Sequence, residues 1–359
     1  VRLHQASANY GVASRRLGAD RIVSEGADAG SYERATAPEI CAYWAAVLDD
    51  MVAGGRVTFL GGTEYRGSDG DAHTVASVTS GDTTTVRARR LVDATRVASD
   101  IPSRHTPSYA IDAGVLSVPP NDLPGLAEAP AYTVLGAGKT AMDTCTWLLG
   151  QGVDPDRVRW VKPREAWLFD RAVMQPLDLV GRYMGMQAHW VSAAAAATDG
   201  HDFARRLEAD GVLVRVDPDR EADMFRGAII GAAELESLRS LERVVRLGKV
   251  RRLGTDRVEL DGGEVPAQPG EVFVDCTAYG VQLTSGRPVF EPGRVNVEYV
   301  TIGLATYGAA TVAAVEALRE DDADKNRLCP PLRWTGRTAD VLELAYIGMT
   351  GLTARTGEA

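Results

Sequence analysis

Residues 131–141 read Ala-Tyr-Thr-Val-Leu-Gly-Ala-Gly-Lys-Thr-Ala, and this stretch decides the fold of the chain. Its apolar run, 132–135, predicts a buried strand that ends in a glycine turn. A helix-type apolar pattern follows to residue 149, and a second apolar run at 158–161 predicts another strand. A strand, a glycine turn, a helix and a second strand within about 30 residues form the unit that binds the pyrophosphate of a dinucleotide.

Each small residue of this turn has a separate role in such a unit. Gly136 permits the tight turn, Gly138 lets the backbone approach a phosphate, and Ala141 allows the helix to pack closely on the strand. The phosphate then lies on free N–H groups at the positive end of the helix. The residues predicted to hold the cofactor here are Gly136, Ala137, Gly138, Lys139, Thr140 and Ala141.

Two other interpretations of residues 131–141 have to be considered. A buried strand, turn and helix that bind nothing would have the same pattern. A phosphate loop of the GxxxxGK[ST] type shares the Gly-Lys-Thr ending, but it requires a glycine where this chain has Thr133. The sequence therefore favours a dinucleotide over a nucleoside triphosphate.

The end of the second strand indicates which dinucleotide is bound. An NAD site has an acidic residue there for the ribose 2′-hydroxyl, whereas an NADP site has a cation for the 2′-phosphate. This chain has Lys162 and Arg164, and no acidic residue from 157 to 164. We therefore predict NADP, with two surface cations at a strand end as the alternative interpretation.

Composition argues against several classes of protein. The 359 residues are 45% hydrophobic and 25% charged, as in a globular protein with room for two domains. A net charge of −10 argues against general binding to nucleic acid or anionic membranes, which favour basic surfaces. The sequence has no apolar run of membrane-spanning length and no signal-peptide pattern. Its cysteines are far apart and its histidines lack metal-ligand spacing, which predicts a cytoplasmic protein without a metal site.

Upstream of the glycine unit, the sequence predicts one helix and several strands. A capping box at Thr36 starts a helix that continues to Met51. The apolar run at 56–60 predicts a strand. A small β-meander is predicted from three short alternating runs, at 63–66, 73–79 and 83–89.

Downstream of Arg164 the pattern is mainly helical, in four segments that reach residue 242. Two strands elsewhere in the chain end in similar tetrapeptides, Val-Asp-Ala-Thr at 92–95 and Val-Asp-Cys-Thr at 274–277. These tetrapeptides lie on opposite sides of the glycine unit. The pattern indicates two comparable strand ends that flank one central domain.

This order of elements resembles the flavoprotein superfamily with two dinucleotide-binding domains, particularly the flavin-containing monooxygenase-like FAD/NADP oxidoreductases. The resemblance implies an α/β fold of two Rossmann-like three-layer domains, with the NADP domain inserted into a truncated FAD domain, and a small β-meander. The implied division is a first FAD-domain segment at 1–100, a linker at 101–129, the NADP domain at 130–270 and a second FAD-domain segment at 271–359.

Short motifs carry this resemblance. In the superfamily, a strand end of the Ala-Thr-Gly type closes each crossing between the domains. The first such strand end in this chain has Arg96 in place of the glycine. The N-terminal loop would lie close to the flavin in the resembled fold. The residues that the resemblance implies at the cofactors are Ala94, Thr95, Thr277, Ala278, Gly280, His4 and Gln5.

Two departures from the superfamily pattern matter. Its first GxGxxG, which holds the FAD pyrophosphate, is absent, so the FAD domain is expected to be truncated at its N-terminus and impaired in FAD binding. The monooxygenase signature FxGxxxH keeps only His105 and a later aromatic, Tyr109, with Ser99 and Ile101 at the phenylalanine and glycine positions. The signature therefore leaves oxygenation open, whereas the use of NADPH and flavin is unaffected.

The expected function is that of a flavoprotein oxidoreductase that passes a hydride from NADPH to FAD, with monooxygenation of a small organic substrate as one outcome. Because the cofactors carry this chemistry, no catalytic side chain is predicted. One alternative is a flavin-free NADP-dependent dehydrogenase, although the chain has no Tyr-xxx-Lys pair. Another is a non-catalytic nucleotide-binding or sensor protein. The expected partners are a small-molecule substrate and a second copy of the chain in a homodimer.

Overall fold

The computed structural model describes residues 2–95, 99–281, 286–303 and 305–357. The helices are α1 (Ala37–Ala53), α2 (Lys139–Gly150), α3 (Val180–Ala196), α4 (Gly200–Ala209), α5 (Ala232–Arg239), α6 (Ala305–Leu318), α7 (Asp322–Leu328) and α8 (Val341–Thr356). The strands are β1 (Thr63–Asp69), β2 (Ala72–Ser77), β3 (Thr83–Arg87), β4 (Leu91–Asp93), β5 (Ala110–Ile111), β6 (Leu116–Val118), β7 (Tyr132–Leu135), β8 (Val158–Val161), β9 (Ala166–Asp170), β10 (Leu213–Val214), β11 (Met224–Ile230), β12 (Val244–Val245), β13 (Val250–Leu253), β14 (Arg257–Leu260), β15 (Gly263–Pro266), β16 (Val272–Asp275), β17 (Phe290–Glu291) and β18 (Arg294–Asn296). Together they form a mixed α/β fold with parallel sheets.

Five parallel strands form the sheet that carries the glycine turn, in the order β12-β8-β7-β16-β6. Every residue of β7, β8 and β16 is buried, as expected for parallel strands that are covered on both faces. The pairing of β7 with β8 ends with Leu135 opposite Val161, so the glycine turn and the residues after β8 lie at one edge of the sheet. The predicted strand, turn, helix and strand are confirmed.

One face of this sheet is covered by helices and the other by a second sheet. Val134 and Trp160 share a buried cluster with Met142 of α2 and Leu238 of α5. The alternate residues of the same strands, such as Leu135 and Val161, belong to a second buried cluster with residues of β13 and β14. Because successive side chains of a strand alternate between its faces, the unit has three layers: helices, the parallel sheet, and the sheet β15-β14-β13-β5.

A second group of elements encloses an aromatic core between β9, β10, β11 and the helices α3, α4 and α8. Trp190 packs edge-on against Phe203, with ring centroids 4.9 Å apart. The four helical segments predicted after Arg164 leave out β9, which is an almost completely buried strand. A short run that is buried throughout has no alternation, so its pattern does not distinguish a strand from a helix.

The predictions for the first hundred residues are confirmed only for some elements. β1, β2 and β3 form the antiparallel meander, and α1 begins at the predicted capping box. The strand predicted at 56–60 is absent, and Phe59 within it is 63% exposed. An apolar run forms a strand only where a neighbouring strand accepts and donates its backbone hydrogen bonds, and no described strand pairs with this run.

Residues 101–129, predicted as a linker, contribute strands to two sheets. β5 pairs with β13, and β6 pairs with β16, both in parallel. β16 also pairs with β7, so the first strand of the predicted second FAD-domain segment lies in the sheet of the glycine turn. Parallel sheets join strands that are distant in sequence, which local composition does not reveal. The four domain ranges remain predictions.

Candidate functional site

The turn after β7 requires glycine at its first position. Gly136 has a φ of +134°, and a Cβ added there would lie 2.6 Å from the carbonyl oxygen of Cys276. The indole of Trp160 donates a 2.7 Å hydrogen bond to the Gly136 carbonyl, which holds the turn against β8. Both neighbouring strands therefore constrain this position, and only glycine fits it.

Gly138 and the first turn of α2 form an open helix N-terminus. Gly138 is the N-cap of α2, and an added Cβ would meet no atom within 4 Å. The first N–H groups of a helix have no intrahelical acceptor and lie at the positive end of its dipole. Ala137 and Ala141 are buried beneath this turn, whereas Thr140 is exposed. The open space and the N–H groups suit a phosphate.

Lys139 contacts carboxylates at this turn. Its ammonium pairs with Asp143, one turn further along α2, and lies 3.4 Å from Glu234 of α5. His4 Nε2 lies 2.9 Å from the second carboxylate oxygen of Asp143. Burial opposes ionisation of Asp143, but the hydrogen bond with His4 and the charge of Lys139 hold its pKa below the usual range. Lys139 therefore reaches a phosphate only by leaving this pair.

The two cations predicted to bind a 2′-phosphate lie in different environments. Arg164 is exposed. Lys162 is 1% exposed, its ammonium pairs with Glu165, and it lies 4.6 Å from the ring centroid of Trp160. Burial lowers the pKa of Lys162, and the pairing with Glu165 opposes that effect. The expectation of an accessible Lys162 needs correction, because this residue lies two positions after Trp160 and so on the same buried side of the strand.

A second arginine, which the sequence analysis missed, lies within electrostatic range of Arg164. The guanidinium of Arg226 in β11 lies 4.5 Å from the ring centroid of Tyr279 and donates a 2.7 Å hydrogen bond to the Val281 carbonyl. Burial lowers the pKa of Arg226, and the nearby positive charge of Arg164 lowers it further. The two guanidiniums therefore act on each other electrostatically. No local sequence signal identifies Arg226, because tertiary folding brings it from a distant strand.

The two strand ends predicted to be comparable have the same hydrogen bonds. Asp93 at the end of β4 accepts a 3.0 Å bond from the N–H of Thr95 and a 2.6 Å bond from its hydroxyl. Asp275 at the end of β16 accepts bonds of 2.9 and 2.6 Å from the N–H and hydroxyl of Thr277. The Thr95 hydroxyl is the main cause that lowers the pKa of Asp93 to about 2, and Arg294 contributes. Each Asp-x-Thr closes its strand with an Asx-type turn.

The stretch after the first strand end is tied to the second strand end. Asp100 forms a backbone bridge with Gly280, which has a φ of +73°. The Asp100 carboxylate lies 2.9 Å from His105 Nδ1, and His105 Nε2 lies 3.4 Å from the Thr277 hydroxyl. Arg96, where the superfamily has glycine, lies outside the described residues. Among the other predicted residues, Ala94 and Thr95 are exposed, whereas Thr277, Ala278 and Gly280 are half-buried.

His4 and Gln5 lie between α2 and the chain just before α6. His4 contacts Asp143 of α2. Gln5 is 3% exposed and donates a 2.7 Å hydrogen bond to the Gly303 carbonyl. Arg171 donates a 2.9 Å hydrogen bond to the His4 carbonyl and so fixes the backbone of this loop. The N-terminal segment thus connects the glycine unit with the region that precedes α6.

The portion of the chain that the structure describes contains no candidate metal site and no candidate membrane-spanning helix. No group of three or more histidine, cysteine, aspartate or glutamate side chains in it is placed to hold a metal ion. None of its helices is both long enough and apolar enough to cross a membrane. Burial raises the pKa of Cys276 to about 12, so this thiol, next to the glycine turn, stays protonated at neutral pH.

The fold and the site define an α/β protein in which a glycine turn leads from a buried parallel strand to an open helix N-terminus. No protein-family model matches the chain. Two uncharacterized proteins, from Mycobacterium tuberculosis and Mycobacterium bovis, are each 42% identical to it over 334 residues. The match covers 92% of this chain and 62% of each relative, so the chain spans less than two thirds of the length of these proteins.

Several solved flavoenzyme structures have a distant likeness to the chain. A flavin-containing monooxygenase from Stenotrophomonas maltophilia matches with a TM-score of 0.43 and 12% identity, over 100% of this chain and 86% of that one. A cadaverine monooxygenase from Erwinia amylovora, bound to FAD, has a TM-score of 0.39 and 15% identity, over 89% and 72% of the two chains. A bacillithiol disulfide reductase from Staphylococcus aureus has a TM-score of 0.41 and 9% identity, over 99% and 85%. TM-scores of this size carry no argument about function.

Proposed function

We propose that this chain binds NADP and belongs to a flavoprotein oxidoreductase in which a hydride passes from NADPH to FAD. The observation that carries the proposal is the open glycine turn. Gly138 caps α2 with no atom within 4 Å of an added Cβ, and the turn follows a strand of an all-parallel sheet. In α/β proteins, ligands bind beyond the carboxyl ends of such strands.

Two arginines support NADP over NAD. Arg164 follows the end of β8, which is where the 2′-phosphate lies in an NADP unit, and its charge acts on the guanidinium of Arg226. Within the described residues, neither guanidinium forms an ion pair with a carboxylate, and Arg226 donates only to a backbone carbonyl. Adjacent like charges repel each other, and a phosphate bound by both guanidiniums would relieve that repulsion.

The flavin component of the proposal is supported by the two strand ends. Asp93 with Thr95 and Asp275 with Thr277 repeat one hydrogen-bonded turn, as the resembled superfamily has one closing motif at each crossing between its domains. A bound flavin would accept the hydride, and the protein would supply orientation and electrostatics. Gln5, held against the carbonyl before α6, would contribute to that orientation.

The activity of the whole protein is likewise part of this proposal, because the chain spans only 62% of the length of its relatives. Monooxygenation of a small organic substrate in the cytoplasm, by a homodimer, is its most specific form. The finer assignment of two Rossmann-like domains, one inserted into the other, also belongs to this proposal. Within the chain, Arg164, Arg226 and the first turn of α2 would bind and orient the nicotinamide dinucleotide.

Parallel titrations of the purified chain with NADPH and NADH test the NADP assignment. We expect NADPH to bind at least about tenfold more tightly, because only its 2′-phosphate can form charge-assisted hydrogen bonds with the arginines. Equal affinities would contradict the assignment. Visible spectra recorded with added FAD, before and after NADPH under anaerobic conditions, test flavin reduction. A protein that binds both NADPH and FAD but leaves the flavin bands unbleached would favour a flavin-free dehydrogenase or a sensor.

A further inference from the structure

A cavity of about 900 Å³ lies between the N-terminal segment and α1. Its volume is within the range of small-molecule sites, roughly 300–1,000 Å³. Among the described residues, those that line it come from positions 2–35 and from α1, and none belongs to the glycine turn or to the two strand ends. The cavity is therefore separate from the proposed dinucleotide site.

The walls of this cavity carry more arginines than glutamates. Five arginines line it against two glutamates, in a chain whose net charge is −10. The lining arginines are Arg2, Arg15, Arg16, Arg21 and Arg34. Arg34 is held by Asp28 through two hydrogen bonds of 3.0 and 2.7 Å, so its role is structural.

Arg2 and Arg21 are two of the lining cations that a ligand can reach. Both side chains are exposed, and that of Arg21 is 78% exposed with a 3.2 Å contact to Glu33. Hydrogen bonds from Thr36 hold the pKa of Glu39 below its usual range, and the charges of Arg2 and Arg21 contribute to that shift. Arg2 forms a backbone bridge with Thr36 at the start of α1, and Arg21 contacts Glu33, three residues before Thr36.

Beyond Glu39, the face of α1 that lines the cavity is apolar and well fixed. Glu39, Ala42, Tyr43 and Ala46 line the cavity, and their spacing places them on one face of α1. The Tyr43 hydroxyl donates a 2.6 Å hydrogen bond to the Arg15 carbonyl and accepts a 2.7 Å bond from the N–H of Val12. An aromatic ring thus contributes to the wall in a defined orientation, close to short alanine side chains that leave room beside it.

The loop that carries Arg21 has a strained conformation. Asp20, between two lining residues, has a φ of +53°, and its Oδ1 is buried without a hydrogen-bond partner. Gly18 has a φ of +84°, and an added Cβ would lie 2.7 Å from the Glu33 carboxylate. Backbone strain of this kind costs stability and is found at ligand clamps.

We propose that this cavity is a second binding site, for an organic phosphate that carries an aromatic or apolar body. Guanidinium groups form paired hydrogen bonds with phosphate oxygens, and Arg2 and Arg21 supply two such groups. The face of α1 with Tyr43, Ala42 and Ala46 would contact the body of the ligand. This site is independent of the NADP proposal, since the two share no lining residue.

Calorimetric titrations of the full chain at low salt with phenyl phosphate, inorganic phosphate and benzoate test the proposal. Phenyl phosphate should bind most tightly, because it alone has both a dianionic phosphate and a ring. The double variant Arg2→Gln/Arg21→Gln should bind it at least about tenfold more weakly, the loss expected for one charge-assisted hydrogen bond. Arg87→Gln is the matched control, because Arg87 is an exposed arginine of β3 that pairs with Asp71, and its affinity should not change.

Two further variants distinguish binding in this cavity from binding elsewhere on the chain. Ala46→Trp should fill the cavity without changing its charge and should weaken phenyl phosphate binding. Gly138→Asp disables the proposed dinucleotide site and should leave phenyl phosphate binding intact. The proposal is overturned if phenyl phosphate does not bind at millimolar concentration, if the double variant binds it as the wild type does, or if Gly138→Asp abolishes its binding. Benzoate binding equal to that of phenyl phosphate would overturn the assignment to phosphates.

Discussion

Gly138→Asp should separate the stability of α2 from the binding of a dinucleotide. Gly138 is the N-cap of α2, with φ −85° and ψ 176°, an extended backbone that aspartate adopts readily. Aspartate is among the preferred N-cap residues, since its carboxylate accepts hydrogen bonds from N–H groups two or three residues further on. An added Cβ meets no atom within 4 Å. We therefore expect the variant to fold with unchanged or slightly higher stability.

The loss of NADPH affinity follows from the same groups. The new carboxylate would occupy N–H groups that the pyrophosphate needs, and a hydrogen bond to a charged group contributes about 1.5–3 kcal/mol. Repulsion between the carboxylate and a phosphate charge at about 4 Å adds about 1 kcal/mol in water, and more in a partly buried site. A total of about 3 kcal/mol corresponds to a dissociation constant that is roughly 100-fold higher.

Two measurements on the same sample separate the effects. A fluorescence titration with NADPH gives the affinity, and unfolding in urea gives the stability. Gly138→Ala is the matched control, because it adds a methyl group to the same open space without a charge, and its loss of affinity should be smaller. A wild-type NADPH affinity in a stably folded Gly138→Asp variant would refute the reasoning. A variant that loses stability and affinity together would refute the claim that the N-cap is free to change.

Three other predictions concern the arginines, the turn and a strand end. Replacing Arg164 and Arg226 together by alanine should weaken NADPH about 10- to 100-fold more than NADH, because only NADPH carries the 2′-phosphate; equal losses in parallel titrations would mean that these residues do not bind it. Gly136→Ala should destabilise the fold by about 2–4 kcal/mol, from the positive φ and the contact with the Cys276 carbonyl, and a wild-type urea midpoint would contradict this. The Asp93 carboxylate, whose pKa is lowered to about 2, should stabilise the fold above the ordinary pKa of aspartate. This stabilisation, about 1 kcal/mol after solvent screening, should disappear as the pH falls toward about 2. In urea unfolding measured across the acid range, Asp93→Asn should lack this pH-dependent stabilisation. An identical pH dependence of stability in the wild type and the variant would exclude a contribution of Asp93.

The glycine unit was predictable from sequence because its determinants are local. The apolar run before Gly136 and the spacing to Gly138 and Ala141 lie within ten residues, and the structure forms the strand, turn and helix that they predict. The two Asp-x-Thr strand ends are similar cases, since each depends on hydrogen bonds between residues two positions apart. Contacts of this range need little help from the rest of the fold.

The environment of the cations was only partly predictable. Lys162 follows Trp160 by two residues, so the period of a strand would have placed it on the buried face. Arg226 had no such signal, because it reaches Arg164 through β11, which pairs in parallel with β9. Similarly, nothing in the proline-rich stretch before the glycine unit indicated that β6 would complete the parallel sheet.

Residues 131–141 suffice to predict a dinucleotide turn, since backbone freedom at glycine and the free N–H groups of a helix are properties of a short segment. The folded chain decides which groups surround that turn. Pairing of β16 with β7 places Cys276 against Gly136, and burial of the strand face removes Lys162 from solvent while Arg226 comes close to Arg164. Such contacts join residues distant in sequence, and their free energy depends on which surfaces the whole fold buries.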